Sequence, residues 1–211
     1  MPRSSSPTKG CEGSAASPRK RRSQPTTQPG GHCKHTRRVP ATAPADIECR
    51  MALRRRDWLL AFMAATPAAA PQPIQTPEQS KSLDPIRIMK GMFLFQHEDP
   101  SGAADQLAGA PYDFEPYAYG PFTAAIYHDL NELGGLGYVK ADPVADRTYA
   151  RWSVTSTGLA HASVKVEEIS PERLERLRHA KHVVSSRGFA ALLRYVYSRH
   201  PAYATESVAK L

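Results

Sequence analysis

Tyr117-Ala118-Tyr119-Gly120-Pro121-Phe122 opens the stretch on which the fold turns, and the stretch closes with Trp152-Ser153-Val154-Thr155-Ser156-Thr157-Gly158. Proline is favoured at the first position of a helix, where its missing N–H costs nothing, so Pro121 reads as a helix start. Phe122, Ile126, Leu130 and Leu133 follow at i, i+4, i+8 and i+11, which predicts one core-facing side. Gly134-Gly135 reads as its end. Leu136 to Ala141 and Thr148 to Val154 predict a hairpin with Asp142-Pro143-Val144-Ala145-Asp146 at its tip. Ser156 or Thr155 then caps a short helix through His161. Helix, two-stranded hairpin and capped helix is the order of a winged helix-turn-helix, so the expected class is mostly α with a small β-hairpin.

Outward from that stretch, Asp84 is a good N-cap and Pro85 sits at N1 of an earlier helix. Ile86, Met89, Phe93 and Leu94 supply its predicted buried stripe, with Arg87 and Lys90 pointing to water. Four prolines between Thr66 and Ser82 read as a stiff connector. His97 to Gly120 is a long connection whose Tyr112, Phe114, Tyr117 and Tyr119, two or three residues apart, suggest an extended segment packed on the core. Ser170-Pro171-Glu172 starts a longer helix with Leu174, Leu177 and Val184 inward. A last helix begins near Ser186, carries Phe189, Leu192, Leu193 and Val196 inward, and stops at Pro201. The expected organisation is a basic tail over 1–50 and one winged-helix-like domain with extra C-terminal helices over 52–205.

The net charge of +8 is unevenly placed: residues 1–50 hold 10 Lys/Arg against 3 Asp/Glu, and residues 51–211 hold 18 against 17. The high pI belongs to the tail, whose lack of Phe, Tyr, Trp and Leu predicts disorder. Its Arg19-Lys20-Arg21-Arg22 cluster reads either as a simply solvated run or as a phosphate-contacting or localisation arm. Translation of upstream DNA, with a native start at Met51, is a third reading. Cys11, Cys33 and Cys49 all lie in the tail, so the folded part carries no disulfide framework and no cysteine-ligated metal. His32-Cys33-Lys34-His35 lacks a second ligand pair, and no metal or cofactor is expected.

No apolar stretch approaches the roughly 20 residues needed to span a bilayer, and a cytoplasmic protein is expected. Arg54-Arg55-Arg56, the apolar run Trp58 to Ala65 and Pro67-Ala68-Ala69-Ala70 have the order of a secretory signal. Trp58, Leu59, Phe62 and Met63 also share a helical face, so a first domain helix is the competing reading.

The segments Leu83 to Phe95, Tyr119-Gly120-Pro121-Phe122 and Tyr195-Val196-Tyr197-Ser198-Arg199-His200-Pro201 resemble the Panacea-domain group of small prokaryotic proteins. There a Lys-Leu-x-Tyr-Phe helix precedes a Tyr-Gly-Pro helix start, and a C-terminal Tyr leads into a closing segment. The likeness covers about residues 80–208. Phe95 departs from the Tyr-Phe pair, and the connection before Tyr119 is peculiar to this chain. Members are known mainly as antitoxins, so the resemblance implies a protein partner, namely a toxin.

Read as a winged helix, the third helix would present Thr123, Tyr127, His128 and Asn131 outward as a recognition face, with Asn131 suited to an adenine edge. That helix has no Lys or Arg and carries Asp129 and Glu132, which would repel a phosphate backbone. Phosphate contacts would therefore fall to Arg147 and Arg151 on the wing, to Arg54, Arg55 and Arg56, or to the tail. Arg173, Arg176, Arg178 and Lys181, interleaved with Glu172 and Glu175, read as a solvated helix face. No nucleophile with a base, carboxylate pair or phosphate-cradling loop stands at recognisable spacing, and His179 and His182 lack a third ligand. The expectation is a non-catalytic regulatory module that binds DNA or, in the second reading, a protein partner.

Overall fold

The computed structural model describes residues 53–209, and the expectations for residues 1–50 and for a start at Met51 lie outside them. Among the described residues, six helices and one antiparallel hairpin make a mostly helical fold, in the class the sequence predicts. In order they are α1 (Arg55–Ala64), α2 (Pro85–His97), α3 (Ala125–Gly135), β1 (Val139–Pro143), β2 (Ala150–Val154), α4 (Ser156–Val166), α5 (Pro171–Ser186) and α6 (Phe189–Arg199). Short 3-10 turns occupy Pro77–Gln79 and Pro201–Ala204.

Every residue from Trp58 to Ala65 is buried, because α1 is enclosed by α2, α3, α4, α5 and β2. A helix packed on all sides must be apolar all round. The composition that mimics a secretory signal is therefore that of a central core helix, and its arginines sit at the entrance to it. The helix α2 is nearly as enclosed and packs chiefly on α5. Its start is the predicted one: the Asp84 carboxylate accepts from the Arg87 N–H at 2.9 Å, and Pro85 occupies the first turn. Gly91 sets the approach of α2 to α1. A Cβ there would lie 2.0 Å from Cζ of the fully buried Phe62.

Val139 pairs with Val154 and Ala141 with Trp152 across the hairpin. Leu83, just before α2, exchanges two 2.8 Å backbone hydrogen bonds with Trp152 and so ties α2 to β2. Thr155 is the cap of α4: its Oγ1 accepts from Gly158 N at 3.0 Å and donates to Gly137 O at 2.7 Å, which fixes α4 to the exit of α3. Thus α4 continues to Val166, beyond the expected His161.

Several buried charges correct the sequence reading. Lys90 is buried, and its Nζ donates to Pro121 O at 2.8 Å. Lys181 is likewise buried and donates to Met63 O at 2.8 Å. Arg176 reaches Phe95 O at 3.4 Å and pairs with Asp105 at 2.7 Å. The spacing of the α5 cations suggests a solvated face. The acceptors that make burial tolerable are last-turn carbonyls of α1 and α2, Met63 O and Phe95 O, and Pro121 O in irregular chain. Burial pushes both lysine amines down to about 7. The α6 prediction also needs correcting, since Phe189 in its first turn is exposed while Leu192, Leu193 and Val196 are buried.

The C-terminal end is held by Glu98, directly after α2. This buried carboxylate accepts from the Tyr195 hydroxyl at 2.8 Å and lies 3.1 Å from His200 Nε2. His97 beside it stacks on Phe93, and burial, with His200 and Arg176 nearby, pushes its imidazole down to about 4.

The close crossing of α1 and α2 makes a direct prediction. Gly91→Val should destabilise by about 2 kcal/mol or more, because Phe62 is enclosed and has no free space to move into. Urea unfolding of the variant measures this, and a change under about half a kcal/mol, the range of an ordinary surface substitution, would mean the helices do not approach so closely.

Candidate functional site: an aromatic cleft

The segment Tyr117–Phe122 is a turn and not a helix start. Tyr117 and Gly120 exchange backbone hydrogen bonds at 3.1 and 2.8 Å, and Glu115 and Phe122 exchange two at 2.9 Å. This is a small two-residue hairpin around Ala118-Tyr119. Gly120 takes φ +84°, a conformation that side-chain-bearing residues rarely adopt, and a Cβ there would meet Tyr197 at 2.7 Å. Pro121 follows it in a bend that leads into the Glu115–Phe122 bridge, and α3 begins four residues later than the proline suggests.

That turn forms one wall of a cleft of about 680 Å³. The first turn and a half of α2 makes the floor, with Ile86, Met89 and Lys90. Tyr127 of α3, the hairpin tip from Arg147 to Tyr149 and Phe189 at the start of α6 complete it. Tyr117, Tyr119, Tyr127, Tyr149 and Phe189 are 40–53% exposed. They are five of the eight exposed large hydrophobic residues among the described ones, and all five line this one cleft. Ring contacts run along its wall, Tyr117 to Phe122 at 4.8 Å, Phe122 to Tyr127 at 6.2 Å and Tyr119 to Phe189 at 6.0 Å. Tyr117 and Tyr119 come from one turn, and Tyr127, Tyr149 and Phe189 each from a separate helix start or hairpin tip. Spacing in the sequence therefore carried no signal for the cleft, although the Tyr117/Tyr119 pair was visible as a candidate for core packing.

The expected recognition face divides. Thr123 is buried, before α3 starts, with its N–H directed at Met89 Sδ at 3.4 Å, so it is not part of an outward face. Tyr127 turns into the cleft, where burial and then the Asp84 charge push its phenol up. His128 and Asn131 are exposed on α3, as expected.

The arginines assigned to phosphate are mostly engaged. Arg55 makes a two-pronged pair with Asp129, Nε to Oδ2 at 2.7 Å and Nη2 to Oδ1 at 2.8 Å. Arg56 pairs with Glu132 at 3.1 Å. Arg151 donates to Ser82 O at 2.7 Å. Arg54 is exposed at the N-cap of α1. Arg147 is exposed and makes no side-chain hydrogen bond or ion pair among the described residues.

Asp129 is the centre of this arrangement. Its carboxylate is almost fully buried and also accepts from the Tyr112 hydroxyl at 2.7 Å, while Arg55 lies over the Tyr112 ring at 5.5 Å. Burial opposes ionisation, but the bonds from Arg55 and Tyr112 prevail and hold the carboxyl below its usual range. His128, Asp129 and Glu132 bring ligand atoms within 4.8 Å of one another. Both acids are already bonded to guanidinium groups, so the cluster is an ion-pair network, and the arrangement assigns it no metal.

No protein-family model matches the chain, and no curated protein sequence matches it either. Among the described residues, no helix is long and apolar enough to cross a membrane.

Asp129→Asn should cost about 2–3 kcal/mol, because the Arg55 pair is lost and the buried Tyr112 hydroxyl keeps only a weaker acceptor. The pH dependence has a definite sign. A carboxyl whose folded pKa lies below its unfolded value stabilises above the ordinary carboxylate range, and that stability is lost as pH falls through the folded value. The variant should therefore show a flatter loss of stability between about pH 5 and pH 3. An unchanged acid limb in thermal melts would remove Asp129 from this role.

Proposed function

We propose that the chain is a non-catalytic binding module that docks a protein partner through the aromatic cleft. The observation that carries this is the concentration of five exposed aromatic side chains on one concave surface. Tyrosine and phenylalanine offer large contact area at low conformational cost and dominate the energetic centres of protein interfaces. The resemblance to antitoxins points the same way, with a toxin as the partner. Residues 53–209 hold no cysteine, which suits the cytoplasm, where disulfides do not persist.

Binding of DNA by a winged helix draws support from the order of elements: α1, the Leu83–Trp152 bridge, α2, α3, the hairpin. The phosphate side of that function is thin. Arg55, Arg56 and Arg151 are engaged within the fold, and residues 51–211 are nearly neutral. Affinity for a duplex rests on cations free to displace counterions.

Selection of peptides from a random displayed library on the full chain tests the proposal. Selected peptides should bind wild type and lose at least tenfold in affinity on the Tyr117→Ala, Tyr149→Ala double variant, whose melting temperature should stay within about 2 °C because both side chains are exposed, as for ordinary surface substitutions. Peptides indifferent to the two tyrosines would overturn it. So would a mixed duplex that binds with a steep salt dependence and loses affinity on Arg147→Ala, which would favour the DNA-binding alternative.

A further inference from the structure

Two buried lysines of this fold are held in the same way and differ in one respect. Lys90 and Lys181 each give Nζ to a single backbone carbonyl at 2.8 Å, and among the described residues neither has a carboxylate partner. Lys181 sits against the Phe62 ring, 5.3 Å from its centroid, deep between α1 and α5. Lys90 instead forms part of the floor of the aromatic cleft. Pinning a stray carbonyl explains both residues equally. It does not explain why one of them adjoins a cavity.

We propose that Lys90 is a carbonyl-capturing amine and that the cleft takes a small planar aromatic aldehyde or ketone, held as an imine of Lys90 Nζ. The volume of about 680 Å³ falls among those of small-ligand sites. Tyr117, Tyr149 and Phe122 supply ring faces and edges for a planar ligand. Arg147 lines the cleft without an ion pair among the described residues and offers a cation for an anionic substituent, whereas Asp84, which also lines it, is engaged by Arg87 at 3.1 Å. Among the described residues no acid stands beside Lys90 to restore its charge, and burial brings the amine down to about 7. Near neutral pH about half of such amines carry a free lone pair, against on the order of one in a few thousand for an ordinary lysine.

The reaction balances without an oxidant or reductant. The neutral Nζ attacks the carbonyl carbon, forming a C–N bond as the C=O electron pair moves to oxygen. A proton passes from nitrogen to that oxygen, and loss of water leaves C=N. A protonated imine keeps one N–H, enough to retain the bond to Pro121 O. Carbonyl capture goes beyond partner docking and does not depend on it.

The test uses the full chain at pH 7 with 4-carboxybenzaldehyde and cyanoborohydride, followed by peptide mapping. The reduced adduct should form at Lys90 at least tenfold faster than at the exposed lysines Lys81 and Lys140, and Lys181 should stay unmodified. Tyr117→Ala with Tyr149→Ala should slow labelling of Lys90 at least threefold and leave Lys140 unchanged. Lys90 reacting no faster than Lys140, or only after denaturation as expected for Lys181, would reduce it to a structural pin. Labelling of Lys90 that ignores the two tyrosines would likewise overturn the cleft as the binding site.

Discussion

The carboxylate of Asp129 is the constraint around which the rest of the molecule is arranged. It comes from α3, receives Arg55 from the start of α1 and Tyr112 from the long connection, and is nearly shut off from water. A buried carboxylate without such partners would cost several kcal/mol. The three segments therefore have to meet there for the fold to form. Gln96 of α2 fastens the same place from the other side, donating to Tyr112 O at 2.7 Å and accepting from Tyr112 N at 3.0 Å. With Tyr112 fixed, the chain that follows is delivered to the Tyr117–Gly120 turn, and the cleft wall is set.

This division of labour decides how the polar residues of α3 are to be understood. On a helical wheel Asp129 and Glu132 look like defects in a DNA-reading face. In the fold they are the acceptors for two arginines that, on their own, look like phosphate ligands. Both sets of charges are used internally, and the exposed aromatics line the cleft at the edge of the same structure.

The start of α2 at Asp84-Pro85, the start of α5 at Ser170-Pro171, the hairpin and the stripe Ile126, Leu130 and Leu133 were all legible in the sequence, because each is fixed by neighbours within one or two turns. Pro121 misled for a local reason as well. Proline suits a helix start, yet it is equally at home in the bend after a Gly120 turn, and only the pairing of Phe122 with Glu115 decides between them. Lys90, Arg176 and Lys181 read as surface because charge normally seeks water. Their acceptors, carbonyls of Pro121, Phe95 and Met63, are set by tertiary structure. The cleft was invisible for the same reason, since Phe189 and Tyr117 share no local pattern, and helical periodicity placed Phe189 inward.

Hydrogen exchange on the full chain, with a saturating selected peptide in one sample and a mixed duplex in another, addresses the central claim most directly: the charges of α1 and α3 serve the fold, and the aromatic cleft serves recognition. The account predicts protection by the peptide at residues 117–122, 147–149 and 189–192, with the C-terminal half of α3 unchanged and no protection from the duplex. Protection by the duplex across His128, Asn131 and the hairpin tip, with residues 117–122 unaffected, would contradict it.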